Sequence, residues 1–287
     1  MLKSILVPGL NAVATSKALE LALSVARLFD GRIEYLHIHP GARELARYST
    51  SLDVEQGVFS SQIWDSLVAA DKSCLARSRK VFDAFCKRED LGQDTRVTAD
   101  WREVEGNSRE QTIEEAYYND LVVFARPPKP EDLAAVGVGD VLVECGRPLL
   151  LAPSTACPHP ISNVVIAWKG TATSTRAVSA AMPLLARAEQ IHVVQVNEGL
   201  EEERHGPAPT ERLAHYLHRQ GIGSRVNELE SGDRDPCEVL LDAAAGKLQA
   251  GLLVMGAYGH SRAREFIFGG FTRKVLHKAP LPVLLCH

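Results

Sequence analysis

Short apolar runs alternate along this chain with longer stretches in which apolar residues recur every three or four positions. Ile5-Leu6-Val7 reads as a buried strand, and Leu19, Ala22, Leu23 and Ala26 mark one face of an amphipathic helix that leads into a second strand at 33–38. The pattern predicts further strands at 96–101, 121–124 and 149–152, and then at 164–166, 191–196, 225–229, 252–255 and 283–286. Helical stretches separate them. Strands that are short and continuously apolar are buried on both faces, which predicts parallel sheets covered by helices and joined by right-handed crossovers.

The order of these elements repeats. Ile5-Leu6-Val7, a polar segment and Lys17-Ala18-Leu19 are matched by Val164-Val165-Ile166, the segment 169–175 and Arg176-Ala177-Val178. The copies also close alike, with Gly146-Arg147-Pro148-Leu149-Leu150-Leu151 against Ala279-Pro280-Leu281-Pro282-Val283-Leu284-Leu285. The first copy is the longer one, because 40–94 faces only 197–223; Leu67, Ala70, Cys74, Leu75, Val81, Phe82 and Phe85 on one side make the excess one long helix with a loop-rich entry. The fold expected is α/β: two tandem Rossmann-like domains, 1–153 and 161–287, each a five-stranded, mostly parallel sheet flanked by helices. Pro153, Pro158 and Pro160 make the linker between them stiff and extended.

Composition narrows the function classes. Acidic residues (36) slightly outnumber basic ones (32), and no Lys/Arg stripe occurs, which argues against nucleic acid as a partner. Apolar runs are strand-sized and the start of the chain has no leader-like pattern, so the expectation is a cytoplasmic protein with no membrane partner. The six cysteines are isolated, with no CxxC pair, and read as small apolar fillers. Neither a P-loop, a dinucleotide fingerprint nor a nucleophile elbow is present, so no catalytic residue and no metal ligand is assigned.

The most informative segment follows the strand at 252–255. Gly256-Ala257-Tyr258-Gly259 is followed by nine residues, then by Gly269-Gly270-Phe271-Thr272 opening a helix. In open α/β sheets ligands bind beyond the carboxyl ends of the strands, where glycines let backbone N–H groups approach an anion. A helix starting at Gly269-Gly270 would add free N–H groups and the positive end of its dipole, which suits a nucleotide phosphate.

These residues resemble the universal stress protein family in its tandem bacterial form. The likeness rests on Gly256-Ala257-Tyr258-Gly259, on Gly269 at its spacing and on Lys278-Ala279-Pro280-Leu281-Pro282-Val283-Leu284-Leu285, with support from Val164-Val165-Ile166-Ala167-Trp168 and Gly232-Asp233. The resemblance implies a stress-response sensor or regulator that binds ATP, or ADP or AMP, with Mg as an accompanying ion. It implies phosphate contacts from Gly256, Gly259, Gly269 and Gly270, and places Ala167, Trp168 and Val196 near adenine and ribose. It further implies that the strands ending the two copies pair with each other as an internal pseudo-dimer, and it is compatible with a homodimer of whole chains.

Two positions depart from the family pattern. Gly270 replaces a Ser/Thr, leaving Thr272 to supply a hydroxyl, and Lys169 replaces an Asp or Asn. Lysine cannot accept a hydrogen bond, so Lys169 reads either as a mobile cation for phosphate or as a solvent-facing loop residue. In the first copy, prolines at 127, 128 and 130, Asp140 after Gly139, and Pro8 after the first strand argue against nucleotide, which makes that copy a structural partner. The His37/His39 and His215/His218 pairs, with a carboxylate such as Glu203, read as ordinary histidines before metal ligands. Asp233 and Asp235 ahead of Pro236 read as helix caps. A scaffold or small-ligand or metal-binding module without nucleotide, and a slow ATPase, are the alternative functions; a strong enzyme is not expected.

Overall fold

The computed structural model describes residues 1–9, 12–41, 61–91, 96–126, 137–154, 161–197, 209–257 and 270–287. Contacts divide the chain into two compact units, Leu2–Val141 and Leu142–His287, the latter with Met1.

The first unit runs β1 (Ser4–Pro8), α1 (Ala12–Phe29), β2 (Arg32–His39), α2 (Ser61–Glu89), β3 (Thr98–Glu105), α3 (Ser108–Ala116) and β4 (Leu121–Ala125). A further helix, α4 (Val138–Glu144), crosses the division. The strands lie parallel in the order β3-β2-β1-β4. Ile5, Leu6 and Val7 are fully buried, as expected of a strand paired on both sides and covered on both faces. The long helix expected in the excess segment is α2, and it buries Ser78, Phe82 and Phe85 at helical spacing. Ion pairs from Arg88 to Glu20 (3.3 Å) and Arg27 to Glu89 (3.1 Å) join α2 to α1.

The third strand begins and ends later than its expected span of 96–101. All eight residues of β3 pair with β2, from Arg32 opposite Thr98 to His39 opposite Glu105. Its length is set by that partner rather than by its own apolar pattern, and its polar half, Arg102 to Glu105, suits an edge.

The second unit contains β5 (Leu149–Ala152), β6 (Asn163–Ala167), α5 (Ala172–Leu185), β7 (Gln190–Asn197), α6 (Pro209–Arg219), β8 (Arg225–Glu230), α7 (Pro236–Asp242), β9 (Leu252–Gly256), α8 (Gly270–Lys278) and β10 (Val283–Cys286). Its strands follow the order β5-β10-β9-β6-β7-β8. All pairs are parallel except β5 with β10, where Val283, Leu284 and Leu285 lie opposite Leu151, Leu150 and Leu149. This is the pairing of the two closing strands that the resemblance implied. Both are fully apolar and almost wholly buried, so each needs a neighbour on this edge. A single π-turn, Ala243–Lys247, continues α7.

Candidate functional site

In the second unit β6 lies between β7 and β9. The chain leaves β6 toward β7 on one side and returns through β9 on the other, so the connections after β6 and β9 diverge at the carboxyl ends of these strands, the place where open α/β sheets bind ligands. Ala167 ends β6 and Trp168 and Lys169 follow it at this switch point, Gly256 ends β9, and Val196 lies near the end of β7. Ala167, Trp168 and Val196 are half-buried, and Lys169 is exposed. The Trp168 amide donates to the Val194 carbonyl at 2.8 Å, extending the β6–β7 ladder by one row.

The turn into α5 is tightly organised. Gly170 adopts φ 65°, a left-handed conformation that suits glycine. Thr171 and Ser174 form a reciprocal capping box, with the Ser174 amide donating to Thr171 Oγ1 at 3.2 Å and the Thr171 amide to Ser174 Oγ at 2.9 Å. This first turn of α5 rests on Gly256. A Cβ added to Gly256 would lie 2.5 Å from the Thr173 carbonyl carbon and 2.7 Å from Thr173 Oγ1, and against the Ser174 nitrogen. Gly256 therefore has a packing duty that its place in the glycine pattern does not disclose. The next amide, of Ala257, donates to the Cys286 carbonyl at 2.8 Å.

Gly270 is different: it opens α8, and nothing lies within 4 Å of where its Cβ would be. The first turn of α8 carries no acidic side chain and its last turn carries His277 and Lys278, so its positive end is not offset locally. Because α8 precedes β10, which runs parallel to β9, its amino end lies at the carboxyl end of the sheet. Thr272 is buried in its first turn. Gly259 and Gly269, with the spacer between them, lie outside the described residues, as do Glu203 and the prolines at 127, 128 and 130.

Two polar atoms at this end of the sheet are buried without a hydrogen-bond partner: the indole Nε1 of Trp168 and the amide Oε1 of Gln195. Gln195 was not among the expected site residues. Its signal is a lone amide in the apolar run Val193-Val194-Gln195-Val196. Its other amide atom is committed, since Nε2 donates to Asn197 Oδ1 at 3.1 Å while Asn197 Nδ2 donates to Glu230 Oε1 at 2.9 Å.

Asp235 caps α7, accepting from the amides of Cys237 (3.0 Å) and Glu238 (3.4 Å). Lys274 of α8 pairs with its other oxygen and holds the carboxyl below its usual range, and Lys278 pairs with Glu238 at 2.7 Å. Burial pushes the thiol of Cys237 up to about 11 and that of Cys286 up to about 12, which makes both poor nucleophiles at neutral pH. Among the described residues no three His, Cys, Asp or Glu side chains converge as metal ligands. His37 is buried, His39 Nε2 lies 4.0 Å from Glu103 Oε1, and His215 and His218 lie on α6.

The corresponding end of the first unit has other chemistry. Pro8 is buried at the end of β1, and Asp140 of α4 is paired with Arg109 at 3.1 Å. Arg126, following β4, is half-buried, and desolvation lowers its guanidinium to about 10, which leaves it cationic at neutral pH.

Comparisons with known proteins agree with this fold. The Universal stress protein family model matches residues 160–287. No curated protein matches the sequence. The crystal structure of a universal stress protein from Archaeoglobus fulgidus DSM 4304 is similar over 99% of this chain and 96% of its own, with a TM-score of 0.67 at 15% identity. A functionally unknown protein from Pseudomonas aeruginosa PAO1 is similar over 99% and 92%, with a TM-score of 0.57 at 16% identity. A putative universal stress protein from Pseudomonas aeruginosa UCBPP-PA14 is similar over 99% and 93%, at 0.54 and 18% identity. These likenesses establish the fold. No helix among the described residues is long and apolar enough to cross a membrane.

Proposed function

We propose that this chain, whose residues 160–287 form a universal stress protein domain, binds ATP, ADP or AMP at the carboxyl end of the second unit's sheet and acts as a stress-response sensor through nucleotide occupancy. The observation that carries this reading is the β6/β9 switch point, with α8 opening at the same carboxyl end of the sheet on an unobstructed Gly270. Backbone N–H groups there would hold phosphate, with Gly259 and Gly269 contributing by their place in the pattern. Lys169 supplies an exposed cation on the loop after β6. Mg would accompany the phosphates from solvent. The first unit serves as the structural partner.

Native mass spectrometry of the purified protein should show a bound mass of ATP, ADP or AMP. Thermal denaturation with millimolar ATP should show a raised Tm, since ligand at a hundredfold excess over Kd adds about 2.7 kcal/mol to stability. Gly270→Asp should remove most of that rise by placing a carboxylate at the phosphate position while leaving the apo Tm nearly unchanged. A protein with no co-purified nucleotide and no ATP-dependent shift refutes the proposal. A scaffold without nucleotide is the second reading, and the packing of α5 against Gly256 is the observation that favours it.

A further inference from the structure

We infer that the indole N–H of Trp168 and the side-chain carbonyl of Gln195 form a donor–acceptor pair that reads the edge of the bound base, preferring a ring nitrogen beside an exocyclic amino group. This rests on the nucleotide reading above and adds to it the two side chains that discriminate the base.

Both atoms are buried and neither has a hydrogen-bond partner. Buried polar atoms are nearly always satisfied, so two orphans at one sheet end call for a complementary group. Their proximity follows from the ladder. Ala167 pairs with Val194, and the Trp168 amide donates to the Val194 carbonyl at 2.8 Å, which makes Trp168 and Gln195 the next row of the same parallel pair. Side chains in one row of a parallel ladder lie on the same face of the sheet.

The polarity of each member is settled by chemistry. An indole nitrogen only donates. For Gln195, the assignment propagates from a carboxylate. A carboxylate oxygen only accepts, so Asn197 meets Glu230 with its NH2 group at 2.9 Å and presents Oδ1 to its other neighbour. Gln195 must then donate through Nε2 at 3.1 Å, which leaves Oε1 as the free acceptor. Flipping the Gln195 amide would set its oxygen against Asn197 Oδ1, two acceptors face to face, and lose the bond between them.

The ligand edge must therefore present an acceptor to Trp168 and a donor to Gln195. Adenine does so with a ring nitrogen and the adjacent 6-amino group. Purine riboside triphosphate keeps the ring nitrogens but lacks the amino group, so it satisfies only Trp168.

The test is isothermal titration of the full chain with ATP and with purine riboside triphosphate. The wild type should bind ATP about tenfold more tightly, the worth of one good hydrogen bond. Gln195→Leu should bind both ligands equally, at the weaker affinity. Trp168→Phe, which keeps the ring and loses the N–H, should weaken both by about tenfold while preserving the preference for ATP. Urea midpoints of both variants serve as a folding control, and the comparison of the two ligands on the wild type needs no variant. Wild type that binds ATP without preferring it, or variants that keep wild-type affinity and preference, overturn the inference and leave the nucleotide site standing. Wild type that binds neither ligand overturns both.

Discussion

The same place in the two units is built from opposite choices of side chain. Gly9 and Trp168 occupy equivalent positions just past β1 and β6, and each donates its amide across to the second strand at 2.8 Å, to Leu36 and Val194 respectively. In the first unit the residue past the strand is small and the facing strand carries a large ring: a Cβ on Gly9 would lie 2.6 Å from Tyr35 Cζ and 2.7 Å from Cε1. In the second unit the residue past the strand is large, and Val193 stands at the position of Tyr35. The backbone frame is the same and the bulk has moved. Tyr35 stacks on Trp101 at 5.0 Å, His37 stacks on the same ring at 5.4 Å, and Phe82 meets it at 5.7 Å. The first unit thus fills its strand ends with its own rings. The second places Gln195 where His37 would be; both residues keep a buried polar atom without a hydrogen-bond partner, but in the second unit the residue past the strand, Trp168, adds an unmatched donor beside the acceptor of Gln195 where the first has only glycine. Equivalent backbones need not keep equivalent strand ends, because a few side chains decide what fills them.

The strongest test of this contrast is at the end of the fourth strand of each copy, where the first has Ala125 and the second Gly256. Gly256→Val forces a branched side chain into the first turn of α5 and should cost about 3 kcal/mol or more. Gly256→Ala should cost less and still measurably, although the other copy tolerates alanine there. Urea denaturation checks both, and an unchanged midpoint for the valine variant would mean that α5 does not rest on β9.

The next largest effect belongs to Gly9. Gly9→Ala pushes a methyl into the fully buried Tyr35 ring and should cost about 1–3 kcal/mol. In a Tyr35→Val background the same change should cost much less, because the second unit's combination of a larger residue with valine has been restored. A double-mutant cycle on urea midpoints reads this coupling, and additive costs would break the bulk-exchange comparison.

The frame of both units is legible in the sequence because buried parallel strands must be apolar throughout, as in Ile5-Leu6-Val7 and Leu252-Leu253-Val254-Met255. α2 is legible for the related reason that Phe82 and Phe85 repeat at helical spacing. An edge strand obeys no such rule, and β3 takes its bounds from its partner, running to Glu105 through residues too polar to suggest a strand. The site is less legible. Spacing shows that Gly256 needs to be glycine but not that the room is used by Thr173 and Ser174, which are distant in sequence. Gln195 is visible only as a polar interruption in an apolar run. Its meaning depends on Asn197 and Glu230, which orient its amide only once β8 is laid beside β7.

A third test uses pH, to which the exchange of His37 for Gln195 makes only one unit sensitive at this position. His37 is almost completely buried with neither ring nitrogen hydrogen-bonded. Its pKa is lowered from the ordinary 6.5, chiefly by desolvation; His39 on its own strand lowers it further, while Glu103 on β3 and Asp71 on α2 pull it back up. Arg79 of α2, another charge on this layer, lies over the Trp101 ring at 5.0 Å. A folded pKa below the unfolded one means that the unfolded chain takes up the proton first. Stability from this residue is therefore full above the unfolded value and is lost as pH falls below it. Between about pH 7.5 and about pH 5.5, either side of the unfolded value, wild type should lose more stability than His37→Gln, which carries the second unit's residue. Equal losses would remove His37 as the source of the asymmetry.

The smallest expected effect separates the two units by salt. Asn107 caps α3 by accepting from the amides of Arg109 (3.0 Å) and Glu110 (3.3 Å), and Asp235 caps α7 in the same geometry with Lys274 held on its second oxygen. Asn107→Ala should cost about 1 kcal/mol at any ionic strength, since a neutral amide cap involves little screening. Asp235→Ala should cost more in dilute buffer than in molar salt, because the carboxylate also answers the helix dipole and the lysine, and both attractions are screened. The Asp235 carboxyl is already held low, so its charge persists through the acid range that protonates His37, and the two effects are separable in one pH and salt series. A salt-independent cost at Asp235 would mean that its charge adds nothing to the hydrogen bonds, and the two caps would then be equivalent after all.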